Sequence, residues 1–347
     1  MKNAFFSTLK ISFIIIGSII GAGFITGKEI LRFFLGLNLE LSCLLCGLLF
    51  FFSLLAILYL GDKYKSYDNS NKALFGSKAR CVDIIMFIGS VVTVSGMLAG
   101  IDSLIKEEFN FTIPILSILS LFLSHIICKR GIDSLSKVNA LLVSVMLVFL
   151  LIAFLPCFKG DINVYDFEYR NYSFVLIYVG INVFLASPLL VTAGGVYDKK
   201  SFVLSSAIIS VIVCILIYII MKSLLSIGES VLRADIPILK ALGKNRNLKS
   251  ILAIMIYFGI FTTLISSYYP LLEKINSTKN KKRNLSILIV VIFLLSRLGL
   301  DKIVYFLYPA IGVFGVIYIL FVVKRIFIDK LRVKEEKTAK KPNFKLN

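Results

Sequence analysis

Apolar residues recur along this chain in runs of about 20, the length a helix needs to cross a hydrocarbon core of about 30 Å. Ten such runs are legible, centred near residues 22, 50, 93, 120, 147, 184, 212, 261, 291 and 315. The first is not a plain anchor. Gly17-Ser18-Ile19-Ile20-Gly21-Ala22-Gly23-Phe24-Ile25-Thr26-Gly27-Lys28-Glu29 sets four glycines and two charges inside it. Glycine in a helix interior costs about 1 kcal/mol relative to alanine, and a Lys or Glu in hydrocarbon costs a few kcal/mol more, so the segment reads as built to be interrupted. A secretory leader also has a basic start, an apolar run and small residues. Here the apolar pattern resumes from Ile30 to Leu37, and the segment reads as a mature helix.

The sixth run carries a matching defect. Between Tyr178 and Pro188 it is apolar but for Asn182 until it reaches Ser187-Pro188, and proline both removes an N–H and suits the first position of a new helix. Ten helices cut into two halves of five place both defects in corresponding segments, and an odd number of crossings makes the second half inverted. Interrupted segments in matching positions of inverted halves point to a midplane binding site in secondary transporters. The predicted architecture is an all-α polytopic membrane protein with helices 1 and 6 interrupted. Its first five-helix repeat covers residues 1–160, its second 161–330, and a basic tail follows over 331–347. The competing readings are a close-packing face for the G-x-x-x-G pairs Gly17/Gly21 and Gly23/Gly27, and a proline kink without a ligand. The coincidence of the two defects favours a cavity lining.

Composition agrees with the runs. At 58% hydrophobic residues and a mean hydropathy of +0.90, the chain lies well above the roughly 45 to 50% apolar content of soluble domains. A net charge of +19 invites a nucleic-acid partner, but its distribution marks orientation instead. Lys63, Lys65, Lys72, Lys78 and Arg80 fall in one loop, Lys129, Arg130 and Lys137 in another, Lys199 and Lys200 in a third. Lys274, Lys279, Lys281, Lys282 and Arg283 follow, and the tail adds more. The alternate loops are poor in basic residues, apart from the one at 223–249. This positive-inside pattern predicts a plasma-membrane protein with both termini cytoplasmic. The tail after Val333 reads as a solvated extension beside anionic lipid. The expected partners are the bilayer and a small-molecule substrate, with no nucleic acid, and the sequence leaves the oligomeric state open.

Chemical motifs are few. Cys43, Cys46, Cys81, Cys128, Cys157 and Cys214 lie in or beside apolar segments and read as small buried hydrophobes. The C-x-x-C of Cys43 and Cys46 has no second pair to complete a metal site. His125, the single histidine, reads as a packed or pore-facing polar residue. No H-E-x-x-H, nucleophile elbow or phosphate-cradling loop is present, which argues against an enzyme.

The stretch from Gly17 to Phe34, reading G-S-I-I-G-A-G-F-I-T-G-K-E-I-L-R-F-F, resembles the N-terminal signature of the YkvI-like bacterial membrane proteins. That group is similar to a branch of the amino acid, polyamine and organocation transporter superfamily, with the LeuT-type fold of two inverted five-helix repeats. The resemblance spans nearly the whole chain in length and helix count, while its specific motif lies in the first helix. Lys28 stands where members often have an uncharged residue. The resemblance implies that Gly21, Ala22, Gly23 and Phe24 form an unwound stretch whose free amides receive a substrate carboxylate, which suits the positive end of a helix dipole. It also implies that carbonyls around Phe184, Ala186 and Ser187 face the amino group. Paired hydroxyls on helix eight would hold a coupling Na⁺, the one cofactor-like group expected. Thr262, Thr263, Ser266 and Ser267 are available, with 263 and 267 on one helical face and 262 and 266 on another. The ordinary alternative is that such hydroxyls bond their own backbone.

Glu29 and Arg32 stand three apart and can pair on one face. Glu29 lies about 8 to 9 Å beyond Gly23 along the helix, so it must face protein or water. Besides an intrahelical ion pair, the readings are an outer gate joining Arg32 and Asp301, and a proton-coupling carboxylate. Ser90, Thr93 and Asn182 are further candidates for a mostly apolar pocket. The functional expectation is a secondary active transporter that moves an amino acid or similar zwitterion with Na⁺ or H⁺ by alternating access. The alternative is a non-transporting receptor of the same fold that binds its ligand at the same break.

Overall fold

The computed structural model describes residues 2–20, 22–109, 113–154, 171–226, 236–242 and 246–339. Their regular elements are all helical. α1 (Lys2–Ile19) stops at the glycine-rich stretch, a single turn α2 (Ala22–Ile25) follows, and α3 (Lys28–Phe34) starts anew. Gly27 joins the last two at φ 85°, a left-handed conformation that costs a residue without Cβ little. Gly21 lies outside the described residues.

α4 (Leu39–Tyr64) opens with the Asn38 side chain accepting the Leu41 N–H at 2.9 Å, which satisfies one of the donors a helix start leaves free. α5 (Tyr67–Phe75) is short and capped by Ser66 in the same way. α6 (Ala79–Phe109), α7 (Ile115–Lys129) and α8 (Ile132–Phe154) complete the first half. The second half contains α9 (Ser173–Val196), α10 (Phe202–Leu225), α11 (Pro237–Leu242), α12 (Arg246–Asn276) and α13 (Lys281–Ser296). It ends with α14 (Leu300–Lys302), a π-helical turn over Ile303–Leu307, and α15 (Tyr308–Ala339).

Among the described residues six helices are long and apolar enough to cross a bilayer. Large apolar side chains such as Leu44, Phe52, Phe122, Val290 and Leu320 point outward. In water such a surface would drive aggregation; in a bilayer it is the lipid face. The chain is a multi-pass membrane protein.

The core centres on α9, which packs between α4 and α15. Small residues bring the backbones together, as membrane helices require in the absence of a hydrophobic force between them. A Cβ on Gly180 would run into the Gly312 carbonyl, and one on Gly315 would run into the Gly180 backbone.

The predicted interruption of the sixth segment is not formed. α9 runs through Pro188. Proline deprives the carbonyl four residues back, that of Phe184, of its helical donor. The Ser187 hydroxyl donates to that carbonyl at 2.7 Å and takes the missing N–H's place. Buried in membrane with this acceptor satisfied, the helix has no reason to unwind.

Candidate functional site

The break between α1 and α3 lies against α6, α9 and α12, where polar side chains from all of them meet. A cavity of about 20 Å³ is lined by Ser18, Ile19, Glu29, Thr93, Met97, Ile181, Asn182, Leu185, Thr263, Ser266, Ser267 and Tyr308. At that size it has room for about one water, and its lining mixes apolar side chains with hydroxyls, an amide and a carboxyl group. Glu29 is the only Asp, Glu, Lys, Arg or His among these lining residues, and it is 5% exposed.

α12 contributes the hydroxyls. Thr263 Oγ1 donates to the Gly17 carbonyl at 2.8 Å, tying α12 directly to the end of α1. Ser266 accepts from the Asn139 side chain at 3.1 Å, and Ser267 lines the cavity nearby. Thr262 behaves differently: its hydroxyl donates to the Gly259 carbonyl of its own helix at 2.9 Å, the ordinary fate of a membrane hydroxyl. The structure thus brings Thr263, Ser266 and Ser267 together at the break and leaves Thr262 out.

Phe24 is fully buried at the break. Ala22 and Gly23 form the helical turn α2. On α9 the expectation of exposed carbonyls fails at Phe184, because its oxygen already accepts from Ser187. Phe184 packs its ring on Tyr318 instead, and Ala186 and Ser187 are buried within the helix packing.

The predicted gate pairing is also corrected. Asp301 pairs with Lys28, at 2.5 Å, and not with Arg32. Arg32 sits with its guanidinium 4.0 Å above the Tyr305 ring, on the π-helical turn. The Tyr305 ring thus takes the guanidinium of Arg32 as a cation–π partner, and Asp301, ahead of the π turn, takes Lys28. At the same end Arg297 pairs with Asp102 of α6.

The opposite end is open. A cavity of about 350 Å³ is lined by Tyr67, Asp83, Ser90, Pro188, Glu273 and Lys274, among others. Lys274 lies 3.6 Å from Asp68 and 3.7 Å from Asp83, and Asn71 donates to Asp83 at 2.6 Å. Asp83 and Asp102 stand at the two ends of α6, about 28 Å apart at 1.5 Å per residue. Ser90 lines the large cavity and Thr93 the small one. One turn of α6 separates the two spaces.

Tyr308, Asn139 and Met97 escaped the sequence reading. Asn139, a buried amide in an apolar helix, carried a legible signal, since polar groups at membrane depth are rare without a partner or a task. Tyr308 carried none, because a tyrosine beside an apolar run resembles an interfacial anchor. His125 makes a 3.1 Å hydrogen bond with the Tyr268 hydroxyl, away from the cavity. Cys43 and Cys46 are buried, and Cys214 donates to the Cys43 carbonyl at 3.2 Å. Cys157 lies outside the described residues.

No family model matches the chain. It is 24% identical over 335 residues to the uncharacterized membrane protein YkvI of Bacillus subtilis (strain 168), covering 92% of this chain and 96% of that protein. The solved structure of MhsT in complex with L-phenylalanine matches with a TM-score of 0.70 at 14% identity, over 90% of this chain and 87% of that one. A manganese transporter from Eremococcus coleocola matches with a TM-score of 0.52 at 12% identity, over 90% and 70% of the two chains. At these identities the likeness to solved structures is one of fold, and that fold is the LeuT type.

Proposed function

We propose that this chain is a secondary active transporter that moves a small zwitterionic solute, such as an amino acid, with Na⁺ or H⁺ by alternating access. It would cross the membrane ten times as two inverted repeats of five helices, with both termini cytoplasmic. The observation that carries this reading is the arrangement of spaces along α6. A small cavity at a helix break, with the Lys28–Asp301 pair next in the chain to its Glu29 wall, lies one turn of α6 from a larger cavity. That is the geometry of a site reached from one side at a time.

In this reading the amides of Gly21, Ala22, Gly23 and Phe24 take the substrate carboxylate at the positive end of the restarted helix. Thr263 and Ser267 supply oxygens to Na⁺, with Ser266 beside them, because hard cations take oxygen ligands. The Gly17 carbonyl that now accepts from Thr263 is the natural backbone ligand of the same ion. Glu29 is the coupling group if the ion is a proton. Lys28 and Asp301 form the outer gate, and Arg32 positions the helix against Tyr305.

The test is accumulation. Purified protein in liposomes with an imposed Na⁺ or pH gradient should concentrate a bound solute above its outside level. Binding with no accumulation under either gradient would replace transport by the receptor reading.

A further inference from the structure

A cavity of about 830 Å³ lies away from the helix break, in a groove between α4 and α15. Phe52, Leu55, Ala56, Leu60 and Ile326 make its floor, and Phe52 is among the exposed apolar side chains of the lipid face. Its rim is ionic. Asp62 and Lys63 come from the end of α4, Lys199 from the helical turn Lys199–Ser201 before α10, and Asp329 from α15. At 1.5 Å per residue Phe52 lies about 16 Å along α4 from Lys63, half of a hydrocarbon core of about 30 Å. The groove thus has the depth of one leaflet, apolar toward the bilayer centre and charged at the interface.

The rim charges do not cancel. Asp62 is shared by Lys65 at 3.0 Å and Lys199 at 3.2 Å, and Asp329 by Lys63 at 2.7 Å and Arg325 at 3.2 Å. Four cations against two carboxylates leave these six side chains at +2. An ammonium has three N–H donors, and one ion pair uses one of them. Lys63 and Lys199 line the groove with side chains 48% and 57% exposed, so both have donors left for a further acceptor. The Lys199 ammonium stands 5.0 Å from the centroid of the Tyr59 ring, itself a lining residue, which holds the charge over the groove.

Surplus positive charge calls for an anion, and an apolar floor of leaflet depth calls for hydrocarbon chains. A zwitterionic lipid would bring its own ammonium to a rim that is already positive, and a soluble phosphate has nothing to lay on the floor. We propose that this groove binds a diacyl phospholipid with a net negative headgroup, of the phosphatidylglycerol kind. Its phosphate sits between Lys63 and Lys199, and its chains run along Phe52, Leu55 and Ile326. The site is separate from the helix break and stands whether or not the chain transports a solute.

The test reads the melting temperature of the full-length protein in detergent against lipid concentration, because a ligand of the folded state raises it. The probes are dioleoylphosphatidylglycerol, dioleoylphosphatidylcholine and glycerol 3-phosphate, the last being the phosphate without chains. The glycerol lipid should stabilise at lower concentration than the choline lipid, and glycerol 3-phosphate should not stabilise. Lys63→Gln and Lys199→Gln should each weaken the apparent affinity for the glycerol lipid about 5-fold, and together about 30-fold, the attraction expected of a lysine beside anionic lipid. Each variant is compared with its own lipid-free melting temperature, which removes the cost of the lost ion pair. Lys281→Gln with Lys282→Gln, an exposed pair at the start of α13, should leave the affinity unchanged. Equal stabilisation by the two lipids, stabilisation by glycerol 3-phosphate alone, wild-type affinity in the Lys63 and Lys199 double variant, or an equal loss in the α13 control each overturns the proposal. A dimer in light scattering that Ala56→Arg dissociates would give the groove to a second copy of the chain and overturn it as well.

Discussion

The Ser187 hydroxyl donates to the Phe184 carbonyl at 2.7 Å, the acceptor that Pro188 leaves without a donor one turn later. The pair explains why a proline in a largely buried helix neither breaks nor opens it. Ser187→Ala should therefore cost about 1 to 3 kcal/mol, the range for a buried acceptor left unpaired. In a Pro188→Ala background the backbone N–H returns and the cost of Ser187→Ala should shrink toward zero. Equilibrium unfolding of the four proteins of this cycle measures the difference. Equal costs in both backgrounds would assign Ser187 some other role.

Lys28 and Asp301 should control access more than stability. Asp301 is half exposed, so the pair contributes under about 1 kcal/mol once solvent screening is counted. Lys28→Met should leave folding intact and raise the rate at which a cysteine placed at Thr93 reacts with an impermeant reagent applied from the Asp301 side. Exchanging the charges, Lys28→Asp with Asp301→Lys, should restore protection. Arg32→Gln should not mimic Lys28→Met, because Arg32 is held against an aromatic ring.

Much of the fold was legible in the sequence because apolar runs of membrane length report on the solvent around them, residue by residue. The break of the first helix was legible for the same local reason, since glycine and charge act where they stand. What misled was Pro188. Its effect depends on whether a neighbouring hydroxyl replaces the lost donor, and that is a question of rotamer, not of residue type. The partner of Asp301 was hidden similarly: whether Lys28 or Arg32 meets it depends on how the two segments pack, and Arg32 is taken up by the Tyr305 ring. Tyr308 was missed because its membrane depth is set by tertiary packing.

The hydroxyls of α12 should separate into two classes. Thr263→Ala removes a bond that reaches α1, and if Na⁺ couples transport it should lower the apparent Na⁺ affinity more than the substrate affinity at saturating Na⁺. Thr262→Ala removes only a bond within its own helix and should change both by little. Uptake measured against Na⁺ at fixed pH reads this. Uptake that ignores Na⁺ and follows pH would move the coupling role to Glu29.

Orientation is open to a direct check. Lys78, in the basic loop at residues 63–80, is exposed. A cysteine at position 78 in a cysteine-free protein should be protected from an impermeant reagent outside intact cells and react once the membrane is permeabilised. Reaction in intact cells would invert the topology drawn from the basic loops.

Gly180→Ala should be among the most damaging small substitutions in the chain. Its added carbon meets the Gly312 carbonyl, and backbone yields less readily than a side chain. A loss of about 1 to 3 kcal/mol, or failure to accumulate in the membrane, is the expected outcome. A melting temperature equal to the wild type would show that α9 and α15 have room between them.

The crossing of Gly180 with Gly312 and Gly315 has a mechanical consequence. Two helices whose backbones touch cannot slide past one another by part of a turn without collision, so α9 and α15 must travel as one piece. With α9 unhinged at Pro188, the largest soft joint left at the centre of the molecule is the glycine-rich link from α1 to α3. If the protein transports as proposed, the part free to move is its first segment, swinging against a stiff block that holds the other wall of the cavity still.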